Sequence, residues 1–359
     1  MKKIVALFLI LMTVWAAVGQ EQAKNVILLI GDGMGAEQVR SMKYTAGEAA
    51  IMTQFPHQGW SMTHSLRDSV TDSAAGGSAL STGKKTINGR IADNEDGTPN
   101  ETLLEWAEKH GKSTGIVVTV PITHATPAAF YAHAPSRKMD QEIANQLVYS
   151  GVDFAVGGNW CFFRPEKRTD SKNLIDSLKA RNYQVVFNTN ELAKIQQLPV
   201  VALLTENDPP KVEERGDWTT IAVTKALDLL STDTNGFFLM IEGSQIDWGC
   251  HNNDFNHLAN EMADFNNAVT LAYRFAQNHP ETLVIVTADH ETGGLTFNKK
   301  IDRLSPKKQQ KKVLKYIHWS TGGHTAANVP VYAYGPYSAL FEGVMENTDI
   351  PHKILKIWK

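Results

Sequence analysis

The chain is predicted to be an α/β protein built on a large, mostly parallel central sheet with helices on both faces. Three observations predict this. Strand-like and helix-like stretches alternate along most of its 359 residues, the pattern of successive βαβ units. The strongest strand signals, at 25–30, 237–241 and 283–287, are unbroken apolar runs, and an unbroken run marks a strand covered on both faces. Each run also leads into an acid, namely Asp32, Glu242 and Asp289, at the carboxyl ends where open α/β sheets hold their ligands.

Taken in order, the first strand at 25–30 runs out into Gly31-Asp32-Gly33-Met34-Gly35. An amphipathic helix at 101–110 precedes a strand at 115–120. Helix patterns follow at 140–150, 171–181 and 217–230, with strand patterns at 184–187 and 200–204. A long helix at 253–278 separates the strands at 237–241 and 283–287. No internal repeat or low-complexity segment interrupts this order.

The amino terminus reads differently. Met1-Lys2-Lys3, an apolar stretch to Val18 and the small residues Ala17-Val18-Gly19 form a secretory signal peptide over 1–19, too short for a membrane span. Residues 20–359 are then expected to be one exported domain, periplasmic or extracellular. No cysteine follows the cleavage region, which excludes a lipoprotein anchor, and no later apolar run predicts a membrane anchor. Without Lys2 and Lys3, 33 basic side chains face 38 acidic ones, a formal charge of about −5. Such a balance offers no general nucleic-acid-binding platform. Cys161 and Cys250 are expected to be buried free thiols. The stretch 298–319 carries eight basic residues against the single acid Asp302 and reads as a basic insertion over the rim of the site.

Three familiar loop patterns fail on inspection. The glycines of 31–35 lack the dinucleotide spacing, and Asp32 would repel a pyrophosphate. Ser81-Thr82-Gly83-Lys84-Lys85 lacks the first glycine and the last hydroxyl of a phosphate loop. The acids at 93–96 have Ala92 and Leu103 where a calcium loop needs ligands.

What remains is a set of acids and histidines at strand ends. Asp247 and His251 follow Glu242 four residues apart, on one face of any helix that starts there. Asp289-His290 precedes Gly293-Gly294, and His324 follows Gly322-Gly323. Carboxylate with imidazole suits zinc, and further carboxylates suit a harder ion such as magnesium. The candidate nucleophile is Ser73, in Thr71-Asp72-Ser73-Ala74-Ala75-Gly76-Gly77. A helix starting there would favour a phosphate at its amino end, while Asp72 or Ser73 as a plain helix cap fits the same residues.

Six motifs in order resemble the alkaline phosphatase family: Gly31-Asp32-Gly33-Met34, Thr71-Asp72-Ser73-Ala74-Ala75, Thr123-His124-Ala125-Thr126-Pro127, Glu242-Gly243-Ser244-Gln245-Ile246-Asp247, Thr287-Ala288-Asp289-His290-Glu291-Thr292-Gly293-Gly294 and Gly322-Gly323-His324-Thr325. The resemblance spans nearly the whole mature chain and is strongest to the smaller bacterial enzymes. It implies one zinc on Asp247, His251 and His324, and a second on Asp32, Asp289 and His290 beside Ser73. It implies a third ion, magnesium, on Asp32, Thr126 and Glu242. Arg137 falls where the family grips phosphate, and a guanidinium fork suits two phosphate oxygens. His124 and Trp248 stand beside the metals where some members have Asp and Lys, which leaves the third ion's identity open. Gly76-Gly77 is smaller than usual in the family and is expected to loosen the nucleophile helix. The implied activity is hydrolysis of phosphate monoesters to alcohol and inorganic phosphate through a phosphoserine, by a possible homodimer.

Overall fold

The computed structural model describes residues 23–359, so the predicted signal peptide lies outside the described residues. Ten strands form the central sheet: β1 (Asn25–Gly31), β2 (His57–Met62), β3 (Ser113–Pro121), β4 (Phe154–Gly158), β5 (Gln184–Val186), β6 (Val200–Leu203), β7 (Phe237–Gly243), β8 (Thr282–Thr287), β13 (Val329–Tyr334) and β14 (Gly343–Glu346). Their order is β14-β2-β13-β8-β1-β7-β3-β4-β6-β5. Only β13 runs against its neighbours. Two short ribbons lie outside the sheet. In one, β9 (Glu291–Thr292) pairs with β12 (His324–Thr325); in the other, β10 (Thr296–Phe297) pairs with β11 (Ile317–His318).

The apolar runs behave as their composition requires. All seven residues of β1 are buried, and the period of two divides them between two cores. Val26, Leu28 and Ile30 face one layer, and Ile27 and Leu29 face the other. The first layer holds α2 (Ser73–Thr82), α3 (Leu103–Lys109), α4 (Ala125–Tyr131), α5 (Asp140–Tyr149), α6 (Leu174–Ala180) and α13 (Asp349–Trp358). The second holds α1 (Ala36–Thr45), α7 (Thr189–Lys194), the short α8 (Val212–Arg215) against α11, α9 (Trp218–Leu230) and α11 (Phe255–Asn278), with α10 (Gln245–His251) above it. Each large aliphatic side chain so buried contributes about 1.5–3 kcal/mol.

Helix boundaries follow local capping. Thr102 and Glu105 form a reciprocal capping box at the start of α3. Asp254 accepts from the amides of Asn256 and His257 to start α11, so the helix begins two residues later than predicted. The segment at 298–319 is an excursion closed at its root by the β10–β11 ribbon. It carries a 3-10 turn, the helix α12 (Pro306–Lys312) and a second 3-10 turn, and α12 packs against α1. Cys250 is buried as expected, whereas Cys161 is half-buried; neither is disulfide-bonded.

Strand order makes the crevice. β1 pairs with β7 on one side and β8 on the other, so Ile30 stands opposite both Glu242 and Thr287. Three segments far apart in sequence therefore end side by side, at the point where connections leave in opposite directions.

Candidate active site

The turns after β1, β7 and β8 supply most of the site. Asp32 is the first residue past β1, Glu242 is the penultimate residue of β7, and Asp289-His290 follows β8. All four are fully or almost fully buried. The turn after Asp32 requires Gly33: its φ is +72°, and a Cβ there would lie 2.9 Å from the Asp247 carboxylate. Its amide donates to Asp289 Oδ1 at 3.3 Å. Ser244 locks the end of β7 to β3, exchanging hydrogen bonds with Thr119 at 3.1 Å each. From there α10 presents Asp247 and His251 on one face, with Nε2 of His251 3.3 Å from Asp247 Oδ2.

The histidines are oriented from behind. His251 Nδ1 donates to the carbonyl of Gly322 at 2.7 Å, and His324 Nδ1 donates to that of Thr71 at 2.8 Å. With Nδ1 protonated in each ring, both Nε2 lone pairs face the cleft, and those two nitrogens stand 3.1 Å apart. Two lone pairs pointed at each other repel unless a cation lies between them; back-side carbonyl partners are the usual support of ligating imidazoles. His290 stacks on His324, ring centres 3.6 Å apart. Its Nε2 lies 3.4 Å from Asp32 Oδ1, 3.3 Å from Asp289 Oδ2 and 3.2 Å from the Ser73 hydroxyl.

Ser73 opens α2, a helix whose ten residues are all buried. Asp72 is its cap, accepting from the Ala75 amide at 3.0 Å. The two readings of this segment are therefore both realised: Asp72 caps and Ser73 faces the cleft. Asp72 has a further task that the sequence did not reveal. Its carboxylate takes Arg137 Nη1 at 3.0 Å, and Arg137 Nη2 lies 3.2 Å from Nε2 of His124. The Asp72 carboxylate thus fixes the guanidinium, with the His124 ring packed beside it. The signal for this was an acid next to the candidate nucleophile, but only the fold brings Arg137 to it. Thr292 was also missed. Its hydroxyl bonds Asp247 Oδ1 at 2.6 Å and lies 3.1 Å from His290 Nδ1.

Gly76 and Gly77 overturn the expectation of a loosened helix. A Cβ on Gly76 would lie 2.9 Å from the Asp289 carbonyl oxygen, and one on Gly77 would lie 3.2 Å from Cα of Thr126. The glycines let α2 press against the backbone on both sides of the cleft.

Whether cations fit can be judged from the polar atoms. Both oxygens of Asp32, both of Glu242, Oδ2 of Asp289, Oγ1 of Thr126 and Nδ1 of His124 are buried without a hydrogen-bond partner. Buried polar atoms left unpaired are costly, and this many converging on one cleft call for cations. Three groups have donor atoms within 4.8 Å of one another: Asp247 with His290 and His324, Asp32 with Asp289 and His290, and Asp32 with His124 and Glu242. The last brings His124 into the third cradle as a donor. Trp248 meets the His124 ring edge-on, centres 6.5 Å apart.

Charge states agree. Burial, then the neighbouring Asp289, Asp247 and Glu242, pushes the Asp32 carboxyl far above its usual range. Burial lifts Glu242 to about 8 and, with Asp247 beside it, Asp289 to about 7. Asp247 is buried too, but the hydrogen bond from His251 and the imidazoles around it hold it well below the ordinary carboxylate range. The same contact raises His251 to about 9, putting on Nε2 a proton that a cation bound there would displace. Burial and then Arg137 press His124 down to about 4, and burial with His324 holds His290 neutral. Carboxylates crowded to the point of keeping protons are sites that a divalent cation would ionise.

Every residue singled out from the sequence lies on this carboxyl edge of the sheet. Fold and site define an α/β metal-binding hydrolase with its cleft at a topological switch point. A family profile described as alkaline phosphatase matches residues 23–316 and 301–359. Alkaline phosphatase 3 of Bacillus subtilis is 33% identical across 94% of this chain and 89% of its own length. The alkaline phosphatase of Escherichia coli K12 is 30% identical across 93% and 86%. Among solved structures, the alkaline phosphatase of the Antarctic bacterium TAB5 superposes with a TM-score of 0.85 at 40% identity, covering 94% of this chain and all of that one. A variant of the TAB5 enzyme with a histidine replaced by Glu was solved with magnesium bound in its M3 site. The chain belongs to the alkaline phosphatase family, and its activity is phosphomonoester hydrolysis.

Proposed function

We propose that this enzyme is exported and cleaves phosphate monoesters through a phosphoserine on Ser73, with two zinc ions and one magnesium ion. The observation that carries this is the Ser73 hydroxyl, 3.2 Å from His290 Nε2 amid carboxylate and threonine oxygens that have no partners. Asp247, His251 and His324 would hold one zinc, Asp32, Asp289 and His290 the other, and Asp32, Thr126 and Glu242 the magnesium. Bound there, the cations supply Lewis-acid charge that lowers hydroxyl pKa values and neutralises a departing alkoxide.

The chain's own residues do the rest. Arg137, fixed by Asp72, places two donors toward the non-bridging oxygens of the phosphoryl group. Ser73 attacks phosphorus opposite the leaving oxygen, and its proton passes through solvent to that oxygen, which departs as the alcohol. The ester P–O bond breaks as the serine P–O bond forms. Water then attacks the phosphoserine from the vacated side, releasing inorganic phosphate and restoring the hydroxyl. The amino end of α2 lies under the growing negative charge, where helix dipole and amides favour it. His124 adds a nitrogen to the third cradle, so that cradle tolerates zinc as well as magnesium.

The test compares rates on nitrophenyl phosphate, bis-nitrophenyl phosphate and nitrophenyl sulfate. The monoester is expected to exceed the other two by orders of magnitude; a preference for diester or sulfate would reassign the enzyme within the same fold. Two copies are proposed to join along the open edge of the sheet. There Val344 on the edge strand β14, 64% exposed, stands in register with Trp60 on its inner neighbour β2, 43% exposed. Sedimentation as a monomer at micromolar concentration would exclude this.

A further inference from the structure

The excursion closed by β10 and β11 is a fixed cationic platform. Lys299, Lys300, Arg303, Lys307, Lys308, Lys311, Lys312 and Lys315 are all exposed. Among the described residues, none of these eight side chains makes an ion pair or hydrogen bond. The one acid within the segment, Asp302, is already taken by Arg40 at 2.6 Å, Lys43 at 3.1 Å and the Tyr44 hydroxyl at 2.9 Å. Buried Ile301, Gln309 and Val313 pin the segment to α1 and the core, so the cations stand on a framework and not on a loose tail. Lys307 with Lys311, and Lys308 with Lys312, are like charges at i,i+4, an arrangement that destabilises a helix. The segment holds eight basic residues and one acid, +7, in a chain of formal charge −3, so the remaining residues sum to −10. Positive charge is concentrated on one flank of an otherwise acidic molecule, a local platform that the overall charge balance conceals.

Its placement selects the partner. α1 begins just past the Asp32 turn and ends beside α12, where Gly47 meets Gln310. Ten helical residues at about 1.5 Å each put the platform roughly 15 Å from the cleft. A small phosphate ester cannot touch both places, and a flexible polyanion can. Resting on the phosphomonoesterase reading above, we propose that the platform binds the backbone of a linear phosphodiester chain whose terminal phosphomonoester enters the cleft. Lysines without a planar fork or stacking partner recognise such a backbone as spaced charge, irrespective of sequence.

The probes are 5′-phosphorylated oligothymidylates of about two and about fifteen nucleotides, with nitrophenyl phosphate as reference. At low salt the longer chain is expected to show kcat/KM about tenfold above the shorter one, mostly through KM. The gain should shrink steeply with added salt, as counterion release requires. The combined variant Lys307→Gln, Lys308→Gln, Lys311→Gln, Lys312→Gln should lose most of that gain and hydrolyse nitrophenyl phosphate as before. Equal kcat/KM for the two lengths, or a length effect that survives the four substitutions, would overturn the proposal. Binding to vesicles of anionic lipid without a length effect would overturn it too, because the platform would then serve a membrane surface. Failure of the unaltered enzyme on nitrophenyl phosphate would strike the underlying reading instead.

Discussion

If Ser73 is the nucleophile, His290 serves it poorly as a base, because burial presses that imidazole far below its usual basicity and its Nε2 also faces two carboxylates. The reactivity of the serine must therefore come from charge gathered around its oxygen, and the hydroxyl itself does little to hold the site together. Ser73→Ala is accordingly expected to lower kcat by about 10³-fold or more while zinc content stays the same. No acid-stable phosphoenzyme should form. A variant that still trapped labelled phosphate would move the nucleophile elsewhere. The residue scale is also where the sequence was most legible. Acids and histidines at strand ends carry their chemistry in their identity, so Asp32, Glu242, Asp247, His251, Asp289, His290 and His324 could be chosen before any fold was known. Asp72 and Thr292 could not, because serving as the brace of Arg137 or the partner of Asp247 depends on who stands opposite.

At the scale of elements, α2 shows packing overruling propensity. Alanine at Gly76 would gain up to about 1 kcal/mol of helix propensity. Its Cβ, however, would lie 2.9 Å from the backbone oxygen of Asp289, which cannot swing aside. Overpacking of this kind costs about 1–3 kcal/mol. Gly76→Ala should therefore lower Tm and, by displacing Asp289 and His290, reduce kcat/KM about tenfold or more; a more stable and fully active variant would show that the helix has slack. α3 provides a separate test far from the cleft. Burial, with Asp153 nearby, lifts the Glu108 carboxyl from 4.5 to about 7, even though it accepts from the Thr114 hydroxyl. The folded state then binds the extra proton between those values, so stability falls as pH rises through that window and stays lower in alkali. Glu108→Gln should match the parent below pH 4.5 and exceed it above pH 7. Partial exposure of the group limits the gain to about 1–2 kcal/mol. Melting curves at acid and alkaline pH would check the sign.

The whole molecule joins the two cores at a cleft rich in unpaired carboxylate oxygens, which makes cations part of its stability. Ligands that bind only the folded state add about 4 kcal/mol at a thousandfold excess over Kd. Exhaustive chelation should therefore lower Tm by several degrees and abolish turnover, and zinc with magnesium should restore both. An unchanged Tm after verified metal removal would mean that the cleft tolerates its crowded acids unaided. Gaps in the predicted architecture also belong to this scale. β14 is an edge strand and β2 its inner neighbour, both of half-exposed, mixed composition. β13 contains Pro330, which ordinarily argues against a central strand, yet it pairs with both β8 and β2.

By itself, the sequence determined the layered α/β architecture, the buried central strands and the chemical cast of the site. These follow from residue identity and from periodicities expressed within a few turns or strand lengths. Tertiary structure alone decided that β1 lies between β7 and β8, that Asp72 holds Arg137, that His124 turns an unpartnered nitrogen into the third cradle, and that the lysines of α12 sit on α1. Each is a contact between segments tens to hundreds of residues apart. Such contacts are set by how two whole faces of a sheet bury their apolar area together, which no local stretch of chain encodes.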